Sequence, residues 1–80
     1  MQLTKKTKKG EREMAFSERL KKAREKKGLS LEGLAEKVGI TKQAVFKYEK
    51  GLMSPQTVVL AEIAKTLEVS TDYLCGLKNE

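Results

Sequence analysis

The sequence has no histidine and a single cysteine, and these shortages exclude most of the side-chain chemistry that enzymes use. One thiol cannot form a disulfide within the chain. Without a histidine partner, Cys75 supplies neither a zinc cluster nor a Cys-His nucleophile, and a Ser-His pair is excluded as well. The carboxylates are spread singly along helical patterns, where solvated surface charge accounts for them. We therefore expect no catalytic residue, no metal and no cofactor, and the protein is not expected to be an enzyme.

Long apolar runs and strand patterns are also missing. The longest uninterrupted apolar run, Val58 to Ala61, is far too short to span a bilayer, and nothing resembles a secretion signal. We therefore expect a cytoplasmic protein without a membrane partner. No stretch alternates apolar and polar residues as a strand does, and 80 residues make one domain at most. Helices bury a core at this length mainly through local contacts, which favours an all-α fold.

Basic charge is abundant, and it is distributed unevenly along the chain. There are 17 Lys and Arg residues against 11 Asp and Glu, a formal net charge of +6. Residues 1–51 carry 15 basic and 7 acidic side chains, whereas residues 52–80 carry 2 and 4. This surplus in the first part of the chain favours a polyanionic partner. Ordinary solvated surface charge is the alternative.

Five short helical patterns divide the chain, and a repeated motif marks the start of four of them. In each, an apolar residue precedes a hydroxyl N-cap, and a second apolar residue follows four positions after the cap. This hydrophobic staple occurs at Leu29–Ser30–Leu34, Ile40–Thr41–Val45, Met53–Ser54–Val58 and Val69–Ser70–Leu74. Together with a first helix over residues 13–27, the motif predicts a fourth helix over 55–67 and a fifth over 71–77. The fourth would begin at Pro55, a residue favoured in the first helical position. In the fifth, Cys75 would be a small apolar filler near the core.

The second and third patterns are separated by almost nothing. Apolar residues recur at helical spacing over residues 31–38, Gly39 fits a left-handed helix end, and Thr41 follows as the next N-cap. Two helices joined so tightly must cross at a steep angle, as in a helix-turn-helix. The second of the two would bury Val45 and Tyr48 and leave a basic outer surface.

Several stretches together resemble the helix-turn-helix of the phage-repressor family, of the Cro/C1 or XRE type. They are LSLEGLAEKVG, the cap and helix ITKQAVFKYEKG, the SP that follows and the closing LEVSTDYL. The resemblance covers about residues 16–75. It implies a compact five-helix, lambda-repressor-like DNA-binding domain that binds double-stranded operator DNA, an inverted repeat, as a homodimer and represses transcription. We expect residues 13–77 to form this domain, with a flexible basic arm over 1–12 and a frayed C terminus over 78–80.

The resemblance also implies which side chains contact bases. The recognition helix would begin at Thr41, and Gln43 has the amide donor and acceptor that suit adenine N6 and N7. The implied base-reading set is Lys42, Gln43, Ala44, Phe46 and Lys47. Within it, the lysines suit guanine or phosphate, and Ala44 and Phe46 suit a thymine methyl. Phe46 departs from the family, which more often has a polar residue there, and a contact with a protein partner is its alternative.

Phosphate contacts and one structural ion pair are implied in the same way. The phosphate set is Ser30, Leu31, Thr41, Lys50, Gly51 and Met53. In the arm, Lys5, Lys6, Lys8 and Lys9 would lie along DNA, with a solubilising tail as the alternative. Arg24 and Glu49 match a pair that commonly locks the recognition helix to the first helix.

A protein-interaction module of the antitoxin or anti-repressor type is the rival to a DNA-binding regulator. Phe46 and the basic arm favour this rival, because both offer contacts to a protein partner. Salt separates the two hypotheses: DNA binding weakens steeply as salt rises, whereas a hydrophobic protein interface does not.

Overall fold

The computed structural model describes residues 15–77, and these residues form five α-helices with no strand among them. The helices are α1 (Phe16–Lys26), α2 (Leu31–Val38), α3 (Lys42–Glu49), α4 (Thr57–Leu67) and α5 (Thr71–Leu74). The predicted all-α, five-helix architecture is confirmed. None of these helices is long and apolar enough to cross a membrane. The predicted arm with Lys5, Lys6, Lys8 and Lys9, the first residues of the predicted first helix, and residues 78–80 lie outside the described residues.

The core forms where the apolar sides of all five helices meet. Each helix contributes one fully buried large side chain: Leu20, Leu34, Val45, Ile63 and Leu74. The third helix packs against α1 and α2, α2 packs against α4, and α5 packs against α1 and α4. Burying an aliphatic side chain of this size stabilises a fold by roughly 1.5–3 kcal/mol. The position of α3 is therefore set by apolar contacts with two neighbouring helices.

Three of the four predicted N-caps are present. The side-chain oxygen of each accepts a hydrogen bond from a backbone N–H of the first turn: Ser30 from Gly33 at 2.9 Å, Thr41 from Ala44 at 3.1 Å, and Ser70 from Tyr73 at 2.9 Å. Such a bond satisfies a donor that has no partner within the helix. The starts of α2, α3 and α5 are therefore fixed by local chemistry.

The fourth predicted cap, Ser54, is wrong. Helix α4 begins at Thr57, and Gln56 occupies the N-cap position without a side-chain cap hydrogen bond. Residues 53–56 form a non-helical connection, so Pro55 does not occupy the first helical position.

The orientation of α4 explains its later start. Ile63 and Leu67 point into the core, and this rotation leaves Val58 74% exposed. The predicted staple requires Val58 to pack against Met53 across Ser54, but Met53 is itself 42% exposed. Because both apolar residues of the predicted staple are exposed to solvent, the staple gives no support to a start at Ser54.

Helix α5 ends at Leu74, before the predicted end at Leu77. Gly76 has a φ of +82°, and the N–H of Leu77 donates to the carbonyl of Asp72 at 2.8 Å. In this glycine-terminated helix end, the N–H groups of the turn donate hydrogen bonds to the last carbonyls of the helix. Cys75 lies in the turn and is exposed, so its predicted position near the core is wrong.

A buried arginine holds α5 against α1. Arg19 is 3% exposed, and its Nη1 donates to the carbonyl of Tyr73 at 3.2 Å. Its guanidinium carbon lies 5.0 Å from the centre of the Tyr73 ring, a cation–π contact. A single helical turn is not stable by itself, so α5 depends on such contacts.

Candidate nucleic-acid interface

The connection between α2 and α3 is a tight turn centred on Gly39. Gly39 has a φ of +86°, a conformation that side chains with a Cβ rarely adopt. Its N–H and that of Ile40 both donate to the carbonyl of Ala35, at 2.8 and 3.0 Å. Thr41 then caps α3 at once. The turn therefore leaves α3 little freedom relative to α2.

Helix α3 has a buried side and an exposed side. Val45 and Tyr48 are in the core. Spacings of three and four residues place one set of side chains on the outer side of the helix. This set, the exposed face of α3, consists of Gln43, Phe46 and Lys47 together with Lys50, the C-cap residue directly after the helix. Lys42 is also exposed, at the amino-terminal end of the helix.

The positive charge of α3 is not compensated on its exposed side. Lys42, Lys47 and Lys50 are all exposed, and the first turn has no acidic residue. Glu49 is the carboxylate of this helix, and both of its oxygens bind Arg24. The outer side of α3 therefore presents cations and an amide to an approaching partner, a combination that suits phosphates and base edges.

Arg24 and Glu49 form the ion pair that the family resemblance implied. The Arg24 Nε and Nη2 atoms donate to the two carboxylate oxygens of Glu49 at 2.6 and 3.1 Å, and the side chains are only 11% and 6% exposed. Arg24 Nη1 also donates to the carbonyl of Leu29 at 2.8 Å. The hydrogen bond to Glu49 raises the pKa of Arg24 above its ordinary value in spite of desolvation. This bidentate pair joins the carboxyl end of α3 to α1.

Phe46 and Lys50 contact each other on the exposed face of α3. The Lys50 ammonium lies 5.5 Å from the centre of the Phe46 ring, within cation–π range. Phe46 is 44% exposed, so the ring is available to a partner. By contrast Ala44 is half-buried against the core, and the structure does not place it with the exposed set.

The predicted phosphate residues lie at the ends of the two helices. Ser30 and Leu31 open α2, Thr41 opens α3, and Lys50, Gly51 and Met53 follow α3. The hydroxyls of Ser30 and Thr41 already accept cap hydrogen bonds, and Leu31 packs partly against the core. The amino end of α2 therefore offers chiefly backbone N–H groups, close to the carboxylate of Glu32 in the same turn.

The segment after α3 reverses sharply. Gly51 has a φ of +74°, and the N–H of Leu52 donates back to the carbonyl of Lys47 at 2.9 Å. This turn leaves Leu52 and Met53 exposed beside the carboxyl end of α3. Sequence patterns did not identify Leu52 as a surface residue, because a lone apolar residue in a loop has no periodic signal.

The tight turn, the buried inner side of α3 and its basic outer side define a helix-turn-helix domain. The chain belongs to the helix-turn-helix family HTH_3, whose family model matches residues 20–74. The resemblance to helix-turn-helix regulators is thereby confirmed, and this family is a family of regulators and not of enzymes.

Curated relatives of the chain are helix-turn-helix transcriptional regulators. The chain is 46% identical over 66 residues to the HTH-type transcriptional regulator YqaE of Bacillus subtilis, a match that covers 81% of this chain and 57% of YqaE. It is 36% identical over 66 residues to the HTH-type transcriptional regulator SinR of Bacillus licheniformis, covering 81% of this chain and 60% of SinR. The chain thus spans little more than half the length of these relatives.

Solved structures share the fold closely. The P22 c2 repressor in complex with a synthetic operator superposes with a TM-score of 0.78 at 26% identity, covering 81% of this chain and 98% of the repressor. SinR, described as the master regulator for biofilm formation, was solved in complex with DNA. It has a TM-score of 0.70 at 35% identity and covers 74% of this chain and 95% of that chain.

Proposed function

We propose that this chain is a sequence-specific, double-stranded DNA-binding regulator that represses transcription from operators on the nucleoid. The observation that carries the proposal is the exposed face of α3. It presents an amide and two lysines around one aromatic ring, on a helix whose carboxylate is neutralised by Arg24. The P22 c2 repressor and SinR, which share this fold, were each solved in complex with DNA. In this proposal α3 lies in the major groove, where base edges differ from one another.

Within that groove the side chains of α3 have separate roles. Gln43 contacts a base, and its amide suits adenine N6 and N7. Lys42 and Lys47 contact guanine or a phosphate, depending on the groove position that each reaches. Phosphates are held by the amino ends of α2 and α3 and by Lys50 with the turn that follows it. Phosphate contacts set the register of the protein, and base contacts set its specificity.

We further propose that the chain binds an inverted repeat as a homodimer. One helix contacts only a few base pairs, so two copies across a two-fold axis double the sequence that is recognised. The short α5 and the carboxyl end of α4 are the proposed dimer surface. Dimers of this class bind half-sites about 34–36 Å apart, one helical turn of DNA.

Selection from a random DNA pool tests this function directly. At about 0.15 M salt, purely electrostatic association is partly suppressed, so enrichment reports specific contacts. We expect an enriched inverted repeat. Gln43→Ala should then relax the preference at one base pair by roughly 1–3 kcal/mol while weak non-specific binding persists. Equal losses on every sequence would contradict the role of Gln43, and a folded protein that enriches no sequence would contradict the function itself.

A protein-interaction role is the second candidate, and one surface feature favours it. Leu52, Met53 and Val58 are exposed apolar side chains near the connection between α3 and α4. SinR, a structural neighbour, was also solved in a complex with the protein SinI. A protein interface built on these side chains would tolerate salt. Raising salt from about 0.05 to 0.2 M therefore separates the candidates, because DNA binding through several lysines falls steeply over this range.

A further inference from the structure

Phe46 is the apolar member of an otherwise polar exposed face. Gln43 lies one turn before it on the helix, Lys47 lies beside it, and Lys50 lies one turn after it. The core does not require the ring, because Val45 and Tyr48 fill the inner side of α3. The ring is left 44% exposed among cations, so an apolar group of a partner that approaches this face can contact it.

Lys50 orders this ring before any partner binds. Its ammonium lies 5.5 Å from the ring centre, and its backbone N–H donates to the carbonyl of Phe46 at 3.0 Å. The helix backbone thus fixes the spacing of the two residues, and the cation–π contact joins their side chains. An ordered side chain loses less conformational freedom on binding, so the ring is prepared for a specific contact.

The major groove contains few apolar groups that an aromatic ring at this position could contact. Base edges there present hydrogen-bond donors and acceptors, and the C5-methyl group of thymine is the apolar exception. A cytosine methylated at C5 presents the same methyl at the equivalent carbon. We infer that Phe46 is a specificity-determining residue that contacts a pyrimidine C5-methyl group, and that the chain distinguishes methylated from unmethylated pyrimidines. The inference rests on the proposed DNA-binding function.

The surroundings of Phe46 favour DNA over a protein partner for this ring. A protein that covered Phe46 would also have to cover Lys47 and Lys50, whereas DNA supplies phosphates to both. The other exposed apolar side chains, such as Leu52 and Val58, lie in the connection after α3 and at the start of α4.

Thymine-to-deoxyuridine substitution in the selected operator isolates this contact, because it removes the methyl group and leaves every base pair intact. We expect one thymine per half-site at which the substitution weakens binding by about fourfold, the fold-change for removing one buried methyl group. Phe46→Ala should bring the ratio of thymine to deoxyuridine affinity at that position to near one. Val58→Ala, which trims an exposed apolar side chain outside α3, should leave the ratio unchanged. The same thymine can also be replaced by cytosine in one operator and by 5-methylcytosine in another. The protein should bind the operator with 5-methylcytosine about fourfold more tightly than the one with cytosine.

Each outcome decides the inference. A wild-type protein that binds its operator but is indifferent to the methyl group at every thymine contradicts it. So does a folded Phe46→Ala variant that keeps the wild-type ratio. Phe46→Leu, which keeps an apolar side chain without a ring for Lys50, should give an intermediate ratio. If no operator is enriched at all, the proposed function fails, and that result is distinct from an operator bound without regard to its methyl groups.

Discussion

Replacing Glu49 with alanine tests whether the ion pair fixes α3 in place. The substitution leaves the Arg24 guanidinium charged and 11% exposed, without the carboxylate that now accepts two of its hydrogen bonds. Removing one partner of a buried pair costs roughly 3–5 kcal/mol. In a domain of this size that loss lowers Tm by roughly 12–40 °C. Small domains have a total stability of about 5–15 kcal/mol, so this loss removes a large share of it.

Urea unfolding followed by circular dichroism measures this cost, and two further variants identify its origin. Lys47→Ala, on the exposed side of the same helix, should change stability by less than about 0.5 kcal/mol but weaken DNA binding. The double variant Arg24→Met/Glu49→Leu should recover most of the lost stability, because an apolar pair needs no compensating charge. The recovery should be incomplete, since the Leu29 carbonyl still loses its 2.8 Å hydrogen bond.

The reasoning fails if Glu49→Ala costs less than about 1 kcal/mol, which is the range of exposed ion pairs. It also fails if the variant is stable but loses its preference for the operator, because Glu49 would then act in recognition. We expect the opposite pattern: at a low temperature where Glu49→Ala is folded, its base preference should match that of the wild type.

Three further predictions concern residues at the starts and ends of helices. Ser30→Ala should destabilise the domain by about 1 kcal/mol in urea unfolding, whereas Ser54→Ala should have an effect near zero; equal effects would contradict the assigned start of α4. Glu68 has a φ of +60°, a conformation that glycine adopts without strain, so Glu68→Gly should raise Tm. A lowered Tm would mean that the contact with Lys27 contributes more to stability than the strain costs. The hydrogen bond from Lys27 lowers the pKa of Glu68 below its ordinary 4.5, so its stabilising effect is present above pH 4.5 and is lost as pH falls through the lower folded pKa. Glu68→Gln should remove this part of the acid dependence of Tm, and an unchanged acid profile would contradict it.

Local signals predicted most of the fold correctly. The caps at Ser30, Thr41 and Ser70 depend on a hydroxyl and a backbone N–H within three residues, so the sequence contains both partners. Ser54 carries the same signal, yet α4 starts later, and the apolar residues that should pack on either side of this cap, Met53 and Val58, are both exposed. The side of a helix that faces the core depends on residues that are distant in the chain, and a local sequence pattern does not include those residues.

In the site too, features that depend on local spacing could be predicted, and features that depend on contacts between distant residues could not. Helical periodicity was enough to place Gln43 and Lys47 on an outer face. The contact between Phe46 and Lys50 has a favourable four-residue spacing, but its meaning depends on how exposed the ring is, and exposure follows from packing. Arg19 had no signal, because the Tyr73 carbonyl that it binds lies far along the chain.

The division of α3 into two sides has a consequence for how regulators of this kind diversify. Val45, Tyr48 and Glu49 hold the helix in place, while the side chains of its exposed face make no contribution to the apolar core. Substitutions on that outer side can therefore change the preferred operator with little cost in folding free energy. Transplanting four surface residues from a related regulator would then transfer its sequence preference, and repressors with different targets can diverge on one unchanged scaffold.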